Sequence, residues 1–261
     1  MDIQKRSSLI IDEVSLLSFQ EQTILVVGLG GVGGYAVEGL ARAGFRKFIL
    51  IDFDEVSESN INRQLVALHS TIGRKKSELY KERVLDINPL AQVETISEFF
   101  DDKLRLEVLE RVDFVVDAID SLGPKVGLIE DCYRKKIKII SSMGAGNRLD
   151  PSKIKIADLS KSKNCTLASR VRKYLRRRGI TKGIPVVFSE ELPIKDYLKE
   201  GRGEAEESSE RGRERTLVGS ISYYPAIMGM MMASYVIRYY IEHRIINNKE
   251  YLATDNTEKH G

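Results

Sequence analysis

The chain has 261 residues, 42% of them apolar, enough for one large domain or two small ones that bury roughly 70–75% of the unfolded surface without covalent staples. Its 41 basic and 38 acidic residues leave a formal charge of +3, which excludes a globally polybasic protein and confines any anionic partner to a local patch. Cys132 and Cys165 form no CxxC pair, so a disulfide scaffold and a thiolate zinc site are excluded, and a reducing, cytoplasmic setting is expected.

The N-terminal segment MDIQKRSSLIIDEV meets charge at Asp12 and Glu13 before a signal-length apolar run develops, so no secretory peptide is read. Residues 1–21 are expected to form a helical arm. Apolar runs of strand length follow at Thr23–Val27, 48–51, 93–96, 114–116 and 137–140, alternating with helix-length segments. Strands apolar on both faces belong to a parallel sheet covered by helices. Residues 22–150 therefore predict an α/β fold: a Rossmann-like, doubly wound, mainly parallel sheet with helices on both faces. One of these helices, 73–88, places Leu79, Val84, Leu85 and Ile87 among charged residues and stops before Pro89.

After Asp150-Pro151 the rhythm weakens to a strand over 154–159, a helix over 166–178 and a strand over 185–188. Residues 151–246 are expected to be a C-terminal α+β portion of the same domain. Within it, KDYLKEGRGEAEESSERGRER at 195–215 has almost no large apolar side chain after Leu198. Burial cannot offset its ordering entropy, so a mobile surface loop is expected. The uncharged stretch 216–237 has the length of a membrane span, but Gly219, Ser220, Ser222, Pro225 and Gly229 interrupt it. It reads instead as a buried strand over 217–222 and a helix opened by Pro225, with no membrane insertion. Residues 247–261 read as a frayed tail.

Chemistry enters at Gly28-Leu29-Gly30-Gly31-Val32-Gly33-Gly34, directly after the first strand and at the start of a helix. Small residues there let the backbone approach a phosphate at the positive helix end. The same glycines serve NAD, FAD and ATP, and Asp52 at the end of the second strand suits ribose hydroxyls in any of them. A dehydrogenase fits equally well to this point. The next segment separates the readings: Asp52-Phe53-Asp54-Glu55-Val56-Ser57-Glu58-Ser59-Asn60-Ile61-Asn62-Arg63-Gln64, then Gly73-Arg74-Lys75-Lys76. Adenylation brings a carboxylate to the α-phosphorus, so cations and a metal must neutralise the triphosphate before two anions can meet. Arg63 and Lys76 have the right charge. Singly, each also reads as a solvated helix charge, and Asp120 as a helix cap.

Together, the glycine loop, the DFDxVxxSNxNRQ segment, the Gly-x-x-Lys helix start and Val116-Asp117-Ala118-Ile119-Asp120-Ser121 resemble the adenylating enzymes of the ThiF, MoeB and ubiquitin-activating group. Within that group, residues 117–121, Pro124-Lys125 and Gly144-Ala145-Gly146 followed by Asp150-Pro151 look most like the tRNA threonylcarbamoyladenosine dehydratases. The similarity runs over residues 6–243. It implies an ATP- and magnesium-dependent enzyme that adenylates the threonyl carboxylate of threonylcarbamoyladenosine in tRNA and cyclises it, releasing AMP and pyrophosphate. The alternative is activation of the C-terminus of a ubiquitin-like sulfur carrier. By the same resemblance, Gly28, Gly30, Gly31, Gly33, Asp52, Asp54, Asn60, Arg63, Gln64 and Lys76 bind the nucleotide. Asp120 holds magnesium, and Arg63, Lys76 and Asp120 carry the catalysis. Arg6 falls where an arginine reaches across a homodimer to the partner's γ-phosphate; an ordinary exposed arginine is the other reading. A sulfur-relay or redox protein is a further partner compatible with the resemblance.

The departures from the wider group are informative. ThiF and MoeB relatives carry two CxxC pairs, and ubiquitin-activating enzymes a nucleophilic cysteine; this chain has neither arrangement. Cys132 reads as a helix-packing thiol, and His69, His243 and His260 show no metal-ligand spacing. Chemistry in which the substrate's own atoms attack the adenylate is favoured, because holding both groups on one molecule gives a high effective concentration. A tRNA substrate also needs a basic patch. Lys161, Lys163, Arg170, Arg172, Lys173, Arg176, Arg177, Arg178 and Lys182 occur with no acidic residue between them. Arg170, Arg172, Lys173, Arg176, Arg177 and Arg178 are the expected RNA contacts, with Tyr174 placed to stack on a base. A solvated helix face beside the acidic stretch 204–214 is the competing reading.

Overall fold

Short apolar runs set the centre of the protein, because each buries alternate side chains on opposite faces of a strand. The computed structural model describes residues 3–194 and 218–257, with side chains of the second stretch described to residue 243. Seven strands form one sheet: β1 (Thr23–Val27), β2 (Lys47–Ile51), β3 (Gln92–Ile96), β4 (Phe114–Asp117), β5 (Lys138–Ser142), β6 (Ile154–Asp158) and β7 (Pro185–Ser189). Their order is β3-β2-β1-β4-β5-β7-β6. All neighbours are parallel except β6 and β7, which run antiparallel. The Rossmann-like expectation is met, and the last two strands extend the same sheet.

Alternation divides the core in two. Ile24 and Val26 of β1 face a cluster built with α1 (Glu13–Glu21), α2 (Gly33–Ala43), α3 (Lys76–Ile87) and α7 (Tyr223–Thr257). Leu25 and Val27 face the opposite cluster, with α4 (Asp102–Leu109), α5 (Leu122–Lys135) and α6 (Thr166–Arg177). Each fully buried Leu, Ile, Val or Phe contributes about 1.5–3 kcal/mol, so the two layers lock the sheet from both sides. No described helix is long and apolar enough to cross a membrane.

Chain order reverses between β1 and β4: β2 and β3 lie to one side, β4 and β5 to the other. Such a switch point leaves a crevice at the carboxyl ends of the strands, and the glycine loop leaves β1 there.

Several boundaries differ from the sequence expectations for identifiable reasons. Helix α3 starts at Lys76, not 73. Gly73 has a φ of +82°, and Glu55 and Lys75 form an isolated β-bridge, which keeps residues 73–75 out of the helix. Residues 218–222 make no strand: their polar backbone is met by asparagines instead, with Asn147 Oδ1 accepting from Gly219 N–H at 2.8 Å and Asn62 Nδ2 donating to Ser220 O at 3.1 Å. Leu217 and the expected loop 195–215 lie outside the described residues. Pro225 is not the first residue of α7, which opens at Tyr223, but it falls in the first turn, where a missing N–H costs nothing. The helix then continues to Thr257, through most of the expected tail, as a nucleated helix propagates readily.

Candidate nucleotide-binding and active site

Close backbone contacts build the floor of the crevice. Gly28 turns with a φ of +87°, and its N–H donates to Ile51 O at 2.9 Å. A Cβ at Gly28 would lie 2.7 Å from Ala118 O, and one at Gly33 would lie 1.8 Å from Gly28 O. Only glycine permits both approaches. Gly28, Gly30 and Gly31 line the cleft, whereas Gly33 closes the turn from behind the wall. Helix α2 starts at Gly33, so the positive end of its dipole lies at the loop.

The cleft has a volume of about 650 Å³ and brings together Asp52, Asp54, Asn60, Arg63, Gln64, Lys76 and Asp120. Asp52 ends the second strand and braces the loop. Its Oδ2 accepts the Leu29 N–H at 2.6 Å and its Oδ1 the Asp54 N–H at 2.8 Å. Burial pushes its carboxyl above the ordinary range, and Lys76 pulls it partly back. Lys76 is buried at the first position of α3, its Nζ 2.9 Å from Asp54 Oδ2. Asn60 is held in a 3-10 turn, Glu58–Asn60, where its side chain accepts from Ser57 N–H.

Arg63 is oriented by neutral partners, with Nη1 donating to Ser59 O at 2.7 Å and to Asn62 Oδ1 at 2.8 Å. No carboxylate pairs with it among the described residues, so the cleft wall carries its charge without an ion-pair partner. Gln64 is buried with Oε1 lacking a hydrogen-bond partner. A ligand donor in the cleft would satisfy it.

Asp120 lies on the turn after β4 and accepts from the Ser121 hydroxyl at 3.2 Å. No group of three or more His, Cys, Asp or Glu side chains among the described residues could hold a metal by itself. A single aspartate on the cleft wall, such as Asp120, fits magnesium, which takes one or two carboxylates and keeps phosphate oxygens and waters.

Other expected residues fall away from the cleft wall. Arg6 is exposed beside a short 3-10 helix, Ser7–Leu9. Its neighbour Gln4 ties the arm to Ala43 O, at the far end of α2 from the loop. Of the basic run, Arg170, Lys173, Arg176 and Arg177 are exposed on α6, and Arg177 lies over the half-exposed Tyr174 ring, 5.6 Å from its centre. Arg172 differs from them: its Nη1 donates to Leu159 O and to the backbone and hydroxyl oxygens of Ser162, which holds the loop before the helix. Arg178 pairs with Glu130 and is partly neutralised. Leu167, in the first turn of α6, lines the cleft, so the basic face begins beside it.

Cys132 is buried, and burial pushes its thiol well above the reactive range. Cys165 caps α6 by accepting from Ala168 N–H. Neither lines the cleft. His243 is spent on Tyr239, through its backbone oxygen and ring; His260 lies outside the described residues.

Sequence reasoning did not assign three parts of the wall: the Phe53–Phe99 ring pair, with centres 5.7 Å apart, residues 142–145, of which Gly144 and Ala145 entered only as marks of the resemblance, and the segment 218–220. The last comes from far along the chain, where no local signal could announce it.

Two outcomes follow from this geometry. Replacing Arg63 by Ala removes a cation from the cleft wall without unpairing a carboxylate. Turnover of a nucleotide-dependent reaction should fall by about 10²–10³, with the urea midpoint unchanged. The sequence expectation gives Asp52 the ribose hydroxyls, which it would accept as the carboxylate; burial raises its pKa, so that expectation predicts nucleotide affinity declining on acidification at a pH above the ordinary carboxylate range. Calorimetric titrations across pH should show that midpoint, and Asp52→Asn should abolish it.

Comparison with known proteins agrees with the geometry. The model of the ThiF family matches residues 5–260. A tRNA threonylcarbamoyladenosine dehydratase from Bacillus subtilis (strain 168) is 38% identical over 237 residues, covering 89% of this chain and 92% of that protein. The crystal structure of Escherichia coli tRNA N6-threonylcarbamoyladenosine dehydratase, TcdA, in complex with AMP matches with a TM-score of 0.82 at 31% identity, covering 92% of this chain and 94% of that one. The structure of the same enzyme in complex with ATP matches with a TM-score of 0.80 at 30% identity, with the same coverage. A family match from residue 5 to residue 260, on a fold with a glycine-floored, cation-lined crevice, means that the chain belongs to the ThiF family.

Proposed function

We propose that this chain is an ATP-dependent tRNA threonylcarbamoyladenosine dehydratase. The observation that carries the reading is the convergence of Arg63, Lys76 and Asp120 on one cleft floored by the glycine loop, in a chain similar to dehydratases over most of its length. Arg63 and Lys76 neutralise the triphosphate, and Asp52 receives the ribose. An oxygen of the threonyl carboxylate attacks the α-phosphorus, the bond to the β-phosphate oxygen breaks, and pyrophosphate leaves. Magnesium, held by Asp120 and phosphate oxygens, would neutralise charge developing there.

The acyl group then needs an acceptor. Both cysteines lie off the cleft wall, so the carbamoyl portion of the substrate is the nucleophile. Its nitrogen bonds to the acyl carbon, loses a proton, and AMP departs with the carboxylate oxygen. Proximity within one nucleoside supplies the effective concentration. Arg170, Lys173, Arg176 and Arg177 contact tRNA phosphates beside the cleft, and Arg6 serves the active site of a second copy in a homodimer. The reading takes the enzyme to act in the cytoplasm, where tRNA is available to it.

The test is direct. Incubation with ATP, magnesium and tRNA carrying threonylcarbamoyladenosine should release pyrophosphate and lower the nucleoside mass by one water. An unchanged nucleoside, or pyrophosphate release stimulated instead by a carrier ending in Gly-Gly, would overturn the reading. In the same assay, Arg170→Glu with Lys173→Glu should raise KM for tRNA and flatten its salt dependence, by about 0.9 in log-log slope for each phosphate no longer neutralised, with ATP affinity unaltered.

A further inference from the structure

Under the cleft lies an ion pair with no access to solvent. The side chains of Lys125 and Asp117 are both 0% exposed, and Lys125 Nζ donates to Asp117 Oδ2 at 2.7 Å. The parallel register of β4 and β5 sets Asp117 beside Ser141, whose hydroxyl donates to the same carboxylate oxygen at 2.6 Å and lies 3.1 Å from the ammonium. The other oxygen, Oδ1, accepts the backbone N–H of Ile119 at 3.1 Å. All three side chains are therefore hydrogen-bonded to one another, and one bond leaves the cluster for the backbone of the turn that carries Asp120.

None of the three reaches the cleft wall, but their chain neighbours Ala118, Ile119, Asp120, Ser121 and Ser142 all line it. Burying two charges carries a desolvation cost that their attraction roughly offsets, and apolar residues of similar size would hold the sheet as well. Stability alone does not explain the pair. Its geometry does something an apolar pair could not: it grips a backbone N–H between the end of β4 and Asp120. The same turn is pressed against the glycine loop, since Ala118 N–H donates to Val27 O at 2.9 Å and Ala118 O blocks any Cβ at Gly28.

We propose that Lys125, Asp117 and Ser141 are positioning residues for adenylation, holding the Asp120 turn and the end of β5 at a fixed setting against the glycine loop so that Asp120 meets the metal of the bound nucleotide. This rests on the proposed function, since it takes the cleft to bind ATP with magnesium. Partners one bond removed from a metal ligand commonly change metal affinity or activity by about 10–100-fold.

The experiment compares the full-length protein with Ser141→Ala, with the double variant Asp117→Leu and Lys125→Met, and with Asp120→Ala, each alone and with Asp120→Ala added to the network variants. ATP binding is measured by calorimetry with EDTA and with magnesium, and pyrophosphate release with modified tRNA is followed as a function of magnesium. In EDTA the network variants should bind ATP like the wild type. The gain in ATP affinity that magnesium confers should shrink by roughly 10-fold or more in the double variant and by less in Ser141→Ala, and half-saturating magnesium should rise while KM for tRNA holds. Combined with Asp120→Ala, the network substitutions should cost nothing beyond Asp120→Ala alone, because both act through one contact. Wild-type magnesium response in folded variants, or additive losses with Asp120→Ala, would overturn the inference. Equal loss of ATP binding with and without metal would also overturn it, as the mark of a merely structural role. Should the double variant not fold, Ser141→Ala decides by the same criteria. A wild-type protein that neither binds ATP nor releases pyrophosphate would instead overturn the function itself.

Discussion

Gly28 and Gly33 let three backbone segments touch without a side chain between them: the end of β1, the start of α2 and the turn after β4. Everything chemical in the protein depends on that contact. It places the amino end of α2 toward the cleft, and through Ala118 it sets the distance between the nucleotide loop and Asp120. Asp52 reinforces the arrangement from the second strand, accepting from the loop at Leu29 and from its own chain at Asp54. Because these bonds run between the carboxyl ends of adjacent strands in a sheet packed on both faces, the site inherits the rigidity of the core. A catalytic constellation built this way needs little reorganisation when charge develops.

Charge is distributed unevenly around this frame, in a way that suits two anions meeting. Lys76 is buried and already paired with Asp54, so it is held at a fixed point. Arg63 is steered only by neutral oxygens and keeps its charge for a ligand. Asp120 lines the same cleft, on the turn whose Ile119 N–H is held by a buried carboxylate. Two cations and a carboxylate on one glycine-floored cleft suit a nucleotide's phosphates. The two cysteines, one packed in the core and one capping a helix, leave acyl transfer to the substrate's own atoms.

Much of this was legible in the sequence because its signals are local. Strands apolar on both faces announce a covered parallel sheet, and Asp52, Asn60, Arg63 and Lys76 lie within one short stretch whose spacing is itself the motif. What was not legible depends on register and long-range contact. Nothing near Asp117 or Lys125 shows that they will meet each other and Ser141; that follows from the pairing of β4 with β5. The run of arginines on α6 could not reveal that Arg172 turns inward, since its acceptors at Leu159 and Ser162 belong to the preceding loop. An apolar stretch at 217–222 looked like a strand, yet the residues described there are tied to asparagine side chains from two distant segments.

In an adenylating dehydratase a carboxylate oxygen of the substrate attacks the α-phosphorus and departs on AMP. Threonylcarbamoyladenosine labelled with heavy oxygen in the threonyl carboxylate, presented on tRNA with ATP and magnesium, tests it in one turnover. Mass spectrometry should find one heavy oxygen in the AMP released and the other retained in the cyclised nucleoside. Unlabelled AMP, or ADP in its place, would contradict the account.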